Sequence, residues 1–476
     1  MDVGTCNGVR RVVEIDSYAY LGRQMSHSCD FNKIDEFMRQ EMFRRRIPGA
    51  MLGIMRNGQI VQTGFYGLAN VELNVPVTPQ SMFQAASIGK QFTVAALLQF
   101  VSRKEINLDD SIHSFFHNAP TYWRGITIQH LLTHTSGLGN YDEQSKLFDY
   151  KRDYSKDQLV AAIADSIPTF APGRDWSYSN SGYTLLGFII EKLTGRFYGD
   201  YLRAHVWRPA SMSTIRIMSN REIIQNRSAG YELKGGNLKN AELASESLNR
   251  TADGTEYWTM DDALRWETCL AGARVIPEKL KQNMWSASQF NGATTNFRLG
   301  GASYGFAWFI DNEAGHSVYY HSGAWAGFVA YSARYPDDHV AVIVCANLSD
   351  APIVAIGRGV ARRVLDLVNQ RPIDDCYPIL TRKLGDAMRS AKARHLAEEM
   401  FAPEFSKERI PGLNRAIRRR LAPLGELQLI ELLEKLLQDD VLRVRYRLRF
   451  PADTLRFEAT CDRDSRLAGP LRFETE

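Results

Sequence analysis

Cysteine is scarce in this chain: Cys6, Cys29, Cys269, Cys345, Cys376 and Cys461 are scattered over 476 residues with no Cys-x-x-Cys spacing, which excludes a disulfide framework. Long apolar runs are missing as well. Residues 1–30 carry charged and polar groups throughout, without the apolar stretch of a secretory signal, and no later run approaches a membrane span. As written the chain reads as cytoplasmic; a periplasmic or secreted protein is expected only if the start is misassigned or a leader has been removed. Charge of one sign is not in excess. Lys plus Arg number 58 and Asp plus Glu 54, a net +4, so no general attraction to nucleic acid or a membrane surface follows.

What is present is an ordinary globular composition, 44% hydrophobic and 24% charged, in a chain long enough for a substantial core and two or more domains. Within it, Ser87-Ile88-Gly89-Lys90 sets a hydroxyl and an amine three residues apart inside Phe83 to Val101, a stretch that otherwise reads as a buried helix. On a helix the two side chains share a face about a turn apart, the arrangement needed to activate a serine. Ala85, Ala86, Phe92, Val94, Leu97, Leu98 and Phe100 make nearly every side apolar. A lysine there is desolvated unless it has partners or loses its proton, which makes it a candidate base.

Two further segments supply what a serine nucleophile needs next. Tyr178-Ser179-Asn180 follows the turn signal Pro172-Gly173 and precedes a helix with Tyr183, Leu186, Ile190 and Leu193 at helical spacing and Gly195 as its C-terminal cap. A phenol and an amide can project from that loop into a cleft. His321-Ser322-Gly323 stands between Ser317–Tyr320 and the apolar run Phe328–Tyr335; a glycine there lets a substrate backbone approach an exposed strand, and the amide of Ala324 can donate to a developing oxyanion.

Read together, the S-x-x-K, Y-x-N and H-x-G segments resemble the serine β-lactamase and penicillin-binding-protein superfamily, particularly its class C β-lactamase, D-aminopeptidase and esterase branch. Ile126 to Leu138, Tyr183 to Gly187 and Tyr304 to Trp308 are similar to that family too, and the resemblance covers about residues 31 to 366. It implies an acylated nucleophile at Ser87, a proton-handling Lys90, an acid/base at Tyr178 that also serves the leaving group, and an Asn180 bonded to substrate or lysine. It further implies oxyanion donation from the amides of Ser87 and Ala324, a substrate-facing His321 beside Gly323, and no cofactor or metal.

The departure is His321, where β-lactamases and carboxypeptidases usually carry lysine. Histidine is mostly neutral near pH 7, so an ester or amide substrate, peptide or small molecule, is expected rather than efficient lactam turnover, and an acid-shifted rate is the signature expected if His321 acts as a cation. The alternatives are a penicillin-binding sensor or acyltransferase with little hydrolysis, or a silent scaffold. Zinc is a rival chemistry, because His130 and His134, like His113 and His117, are four apart; neither pair contains the Glu of a His-Glu-x-x-His motif and no third ligand is spaced for it.

The organisation predicted is an arm over 1–30, a hydrolase domain over 31–368, a linker over 369–380 and a small α+β domain over 381–476. The hydrolase domain is an α/β sandwich, an antiparallel sheet with helices, plus a helical subdomain between early strands (Ala50–Met55 and Gln59–Tyr66, turned at Asn57-Gly58) and late ones (Tyr304–Asp311, Ser317–His321, Phe328–Tyr335, Val340–Ala346), closed by a helix over Ile353–Val368. In the tail, Leu384–Leu421 reads as helical with an interruption at Pro411-Gly412. Leu442, Val444, Tyr446, Leu448 and Phe450 alternate with four arginines, a half-buried hairpin whose arginine row is expected on a solvated face paired with acids. This tail is weakly similar to cystatin-like or nuclear-transport-factor-like modules.

Overall fold

The computed structural model describes residues 31–475 except 118, 142–147, 289–301, 366, 368–371, 373, 390–395, 404, 406–408, 439–440, 463 and 465; the predicted N-terminal arm lies outside the described residues. Helix α1 (Phe31–Arg45) leads into strands β1 (Gly49–Arg56), β2 (Gln59–Asn70) and β3 (Val75–Pro76). Asn57 (φ 50°) and Gly58 (φ 72°) take the left-handed pair of conformations that an Asn-Gly hairpin turn requires. The next strands are β4 (Phe83–Gln84), β5 (Arg216–Ile217), β6 (Tyr231–Lys234), β7 (Asn237–Asn240), β8 (Glu256–Trp258), β9 (Ser303–Tyr304), β10 (Phe309–Glu313), β11 (His316–Trp325), β12 (Phe328–Tyr335) and β13 (Val340–Ala346).

Eight of these form one antiparallel sheet in the order β3-β2-β1-β13-β12-β11-β10-β9. Its central strands β1, β12 and β13 are buried almost throughout, because both faces of the sheet are covered. Ile34, Phe37 and Met38 of α1 pack with Ile356 and Val360 of the helix Ile353–Val364 on one side. Helix α2 (Lys90–Ser102) and the helix Met260–Ala271 join the larger core on the other. Among the described residues the chain between β3 and β9 is mostly helix and loop, but it also holds the short sheets β4-β8-β5 and β6-β7.

Three boundaries differ from expectation. The helix predicted from Phe83 begins only at Lys90, after β4 and a 3-10 turn at Ala86–Gly89. The strand predicted over Tyr304–Asp311 breaks at Gly305, whose amide donates to the Trp308 carbonyl (2.8 Å) and which packs so tightly against Met284 that a Cβ would stand 2.1 Å from the Met284 oxygen. The helix predicted to Val368 ends at Val364.

The tail forms a second antiparallel sheet, β14 (Leu429–Gln438), β15 (Val441–Arg449), β16 (Thr454–Cys461) and β17 (Leu467–Thr475), over the helices Pro378–Arg389 and Ile410–Leu421. Pro411 opens the second helix rather than interrupting a longer one, since the first turn needs no amide from it. Helix also begins at Pro378, inside the segment expected as linker. The arginine face pairs with acids as expected but is solvated only at its end, where Arg449 is exposed. Arg445, Arg447 and Arg456 are buried; Arg445 pairs with Glu458, and Arg447 and Arg449 approach Glu431 (3.9 and 3.0 Å). Arg456 donates to the Leu367 carbonyl, and Arg445 acts with Arg358 and Arg362 on Glu313, so this face lies towards the end of the helix Ile353–Val364 instead of water. No helix among the described residues is long and apolar enough to cross a membrane.

Candidate active site

Ser87 stands on a strained turn. Ala86 has φ 49°, a left-handed conformation that costs a residue with a Cβ about 1–2 kcal/mol and persists only where its surroundings over-determine it. Here three backbones do so. The Ala85 amide donates to the Glu256 carbonyl (2.9 Å); Gly254 (φ 126°) approaches so closely that a Cβ would stand 2.3 Å from the Ala86 oxygen; and a Cβ on Gly323 would stand 2.7 Å from the Ser87 nitrogen. The glycine of the third motif therefore makes room for the serine turn itself.

Lys90, at the first position of α2, is fully buried, and its Nζ is ringed by oxygen: Ser87 Oγ at 3.1 Å, Asn180 Oδ1 at 2.9 Å and the Asp253 carbonyl. It also lies 4.9 Å from the ring centroid of Tyr178 and 5.4 Å from that of Tyr183. Tyr178 and Asn180 reach the same place because Ser179 caps the helix Asn180–Thr194, its Oγ accepting from the Gly182 amide (3.2 Å). Asn140 clamps this corner, accepting from the Asn180 amide at 2.7 Å and donating to the Tyr178 carbonyl at 3.2 Å. The Tyr178 hydroxyl is buried and has no hydrogen-bond partner among the described residues.

His321 joins the site through a chain of bonds whose direction chemistry fixes. The Ser179 amide donates to His134 Nδ1 (3.1 Å), so His134 carries its proton on Nε2 and donates to the Tyr304 hydroxyl (3.1 Å). His321 Nδ1 lies 2.6 Å from the Ser322 carbonyl, which can only accept, leaving Nε2 to take the Tyr304 hydroxyl proton (3.0 Å). Burial and the neighbouring Lys90 charge pull His321 down to about 3, and burial pulls His134 well below the usual histidine range. The cationic role entertained for His321 is thereby corrected: it is a neutral, buried link between the second and third motifs.

Gly323 and Ala324 follow on β11, Gly323 buried and Ala324 exposed. Of the aromatics around the site, Tyr141 and Trp176 are buried in packing. Trp325 is half-buried, donating to Asn249 Oδ1 (3.2 Å) with its ring 5.9 Å from that of exposed Tyr150. His130 is a helix cap, its Nδ1 accepting from Thr127 (3.2 Å). Sequence reasoning missed Asn140, the network role of His134 and Tyr304, and the cradle Asp253–Glu256, whose one signal was the turn former Asp253-Gly254.

A sequence model of the family described as Beta-lactamase matches residues 34–364. Penicillin-binding protein 4* of Bacillus subtilis (strain 168) is 28% identical over 311 residues, 61% of this chain and 66% of that protein, so the chain spans just under two thirds of this curated relative. Among solved structures, the octameric penicillin-binding protein homologue from Pyrococcus abyssi superposes with a TM-score of 0.62 at 20% identity, over 94% of this chain and 98% of the other. The D-amino acid amidase from Ochrobactrum anthropi SV3, solved with L-phenylalanine, gives 0.60 at 21% identity over 71% and 98%. At these identities the structures speak for the fold.

Proposed function

The chain belongs to the beta-lactamase family, and on that premise we propose that it is a serine hydrolase that works through an acyl-enzyme on an ester or amide, with residues 31–368 as the hydrolase domain and 381–476 as an appended α+β domain. Ser87 Oγ attacks the carbonyl carbon as its proton passes to Lys90. The observation that carries this reading is the set of oxygens around Nζ. Nζ donates to the Asp253 carbonyl, Asn180 Oδ1 and Ser87 Oγ (3.1 Å); the first two can only accept, so once the amine has given up one proton they keep its two N–H bonds and the lone pair is left facing Ser87 Oγ.

Negative charge gathering on the substrate oxygen is met by the amides of Ser87 and Ala324. Tyr178, whose hydroxyl has no other described partner, passes a proton to the leaving group, and water repeats the displacement to free the acyl group. Neutral His321 offers no charge to a substrate carboxylate, which favours esters and amides that need none. Small peptides and small molecules both fit that description. A fluorophosphonate probe followed by intact mass measurement tests the assignment, with nitrophenyl ester turnover separating a hydrolase from a sensor that only acylates.

A further inference from the structure

One buried carboxyl group has no part in the steps above. Glu256 opens β8 beneath the serine turn; it is fully buried, and no side chain among the described residues hydrogen-bonds either carboxylate oxygen. Its Oε2 occupies the space that a side chain on Gly89 would need, 1.8 Å from an ideal Cβ, so the group rests against the peptide that joins the Ser87 turn to Lys90. The backbone holds it there. Its carbonyl accepts from Ala85, and its strand pairs with Ile217.

The charged and titratable groups facing it are Lys90 from α2, Asp253 from its own loop, and Tyr198 from the helix Tyr198–Leu202. Burial and the negative charge of Asp253 push the Glu256 carboxyl up to about 8, against the opposite pulls of Lys90 and of the Glu256 and Thr255 backbone amides. Tyr198 stays neutral, burial raising it well above the usual range, and its hydroxyl bonds the Thr251 carbonyl at 2.7 Å. Near neutrality, then, Glu256 keeps its proton.

We propose that Glu256 is a positioning residue that sets the protonation of the Ser87–Lys90 pair. Uncharged, it adds no anion beside Lys90 and leaves the amine's lone pair free for the serine proton. Ionised, it holds a third proton on Lys90 and blocks that lone pair. During acylation the Ser87 proton moves to Lys90 as the new O–C bond forms, and Glu256 neither gains nor loses a proton in that step. This rests on the reading of Ser87 as nucleophile.

The test is the pH profile of Ser87 acylation by a fluorophosphonate, followed by intact mass from pH 5 to 10, for wild type, Glu256→Gln and Glu256→Asp, with thermal melting to establish folding. Glutamine keeps the shape and cannot ionise. Below about pH 7, where wild-type Glu256 is already uncharged, Glu256→Gln is expected to acylate at the wild-type rate; above about pH 8, where Glu256 ionises, it is expected to be ~10-fold faster at equal pH, while Glu256→Asp follows wild type. Profiles that coincide above pH 8 as well as below it, or a uniform loss at every pH, overturn the proposal alone; no adduct in wild type at any pH overturns the hydrolase reading and this proposal with it. Should Glu256→Gln not fold, carboxyl carbon NMR of wild type decides: a Glu256 proton retained at pH 6 supports the proposal, and an ionised carboxylate there overturns it.

Discussion

The Cα of Gly323 rests against the backbone that carries Ser87: a Cβ built on it would stand 2.7 Å from the Ser87 nitrogen and 2.7 Å from the Ala85 carbonyl oxygen. Both atoms are backbone, so neither can swing aside as a side chain would. Gly323→Ala is expected to push the turn away from β11 and misplace Ser87 relative to its partners. A shift of that kind costs about a hundredfold in kcat/KM. Ester hydrolysis by a variant whose melting confirms folding checks this, and wild-type turnover contradicts it.

Tyr304 is the hinge of the buried network, accepting from His134 and donating to His321. Tyr304→Phe leaves a donor on one histidine and an acceptor on the other without a partner in a dry interior. Each such group costs about 1–3 kcal/mol, so urea unfolding should show the variant destabilised by at least ~2 kcal/mol. A change within ±0.5 kcal/mol would mean that the hydroxyl is not shared as described.

The same network gives a pH dependence with a definite sign. Because His321 lies near 3 when folded and near 6.5 when unfolded, the unfolded chain binds the extra proton between those values. Its contribution to stability is full above about pH 6.5 and is lost as the pH falls towards 3. Between pH 7 and pH 5 the loss is about 2 kcal/mol from this histidine. His134, lowered in the same direction, adds to it. Denaturant titrations at the two pH values, with ring NMR showing His321 neutral at both, check the claim; a titrating His321 ring near pH 6.5 refutes it.

Arg445 ties the second sheet to the first by pairing with Glu458 and bearing on buried Glu313. Arg445→Met keeps much of the bulk and removes the charge, leaving the half-buried Glu458 carboxylate without this guanidinium and Glu313 with Arg358 and Arg362 alone. Breaking a buried pair in this way costs about 3–5 kcal/mol. Unfolding should become less cooperative or fall in midpoint, whereas Arg449→Met, on an exposed side chain, should change little.

Local signals carried much of this architecture. Asn57-Gly58 announces its hairpin because two left-handed residues suit few other places, and the apolar runs at 328–335 and 340–346 can only be central strands. The order of Ser87, Tyr178 and His321 along the chain was similarly legible. What escaped was set by partners distant in sequence. Nothing around Ala86 reveals its left-handed backbone, which Gly254 and Gly323 impose from elsewhere. The arginines of β15 alternate like any solvated face, and only the helix Ile353–Val364 makes that face an interior one. Glu256 lies next to a segment with no periodicity, and its burial under Gly89 is a tertiary fact.

The central claim is that Ser87 is acylated with Lys90 taking its proton. Intact mass and peptide mapping after a fluorophosphonate pulse test it most directly. One adduct per chain, on Ser87, absent from Ser87→Ala and slowed at least a thousandfold in Lys90→Ala, is the result predicted. A folded protein that takes no adduct, or takes it on another residue at the same rate in Ser87→Ala, contradicts it.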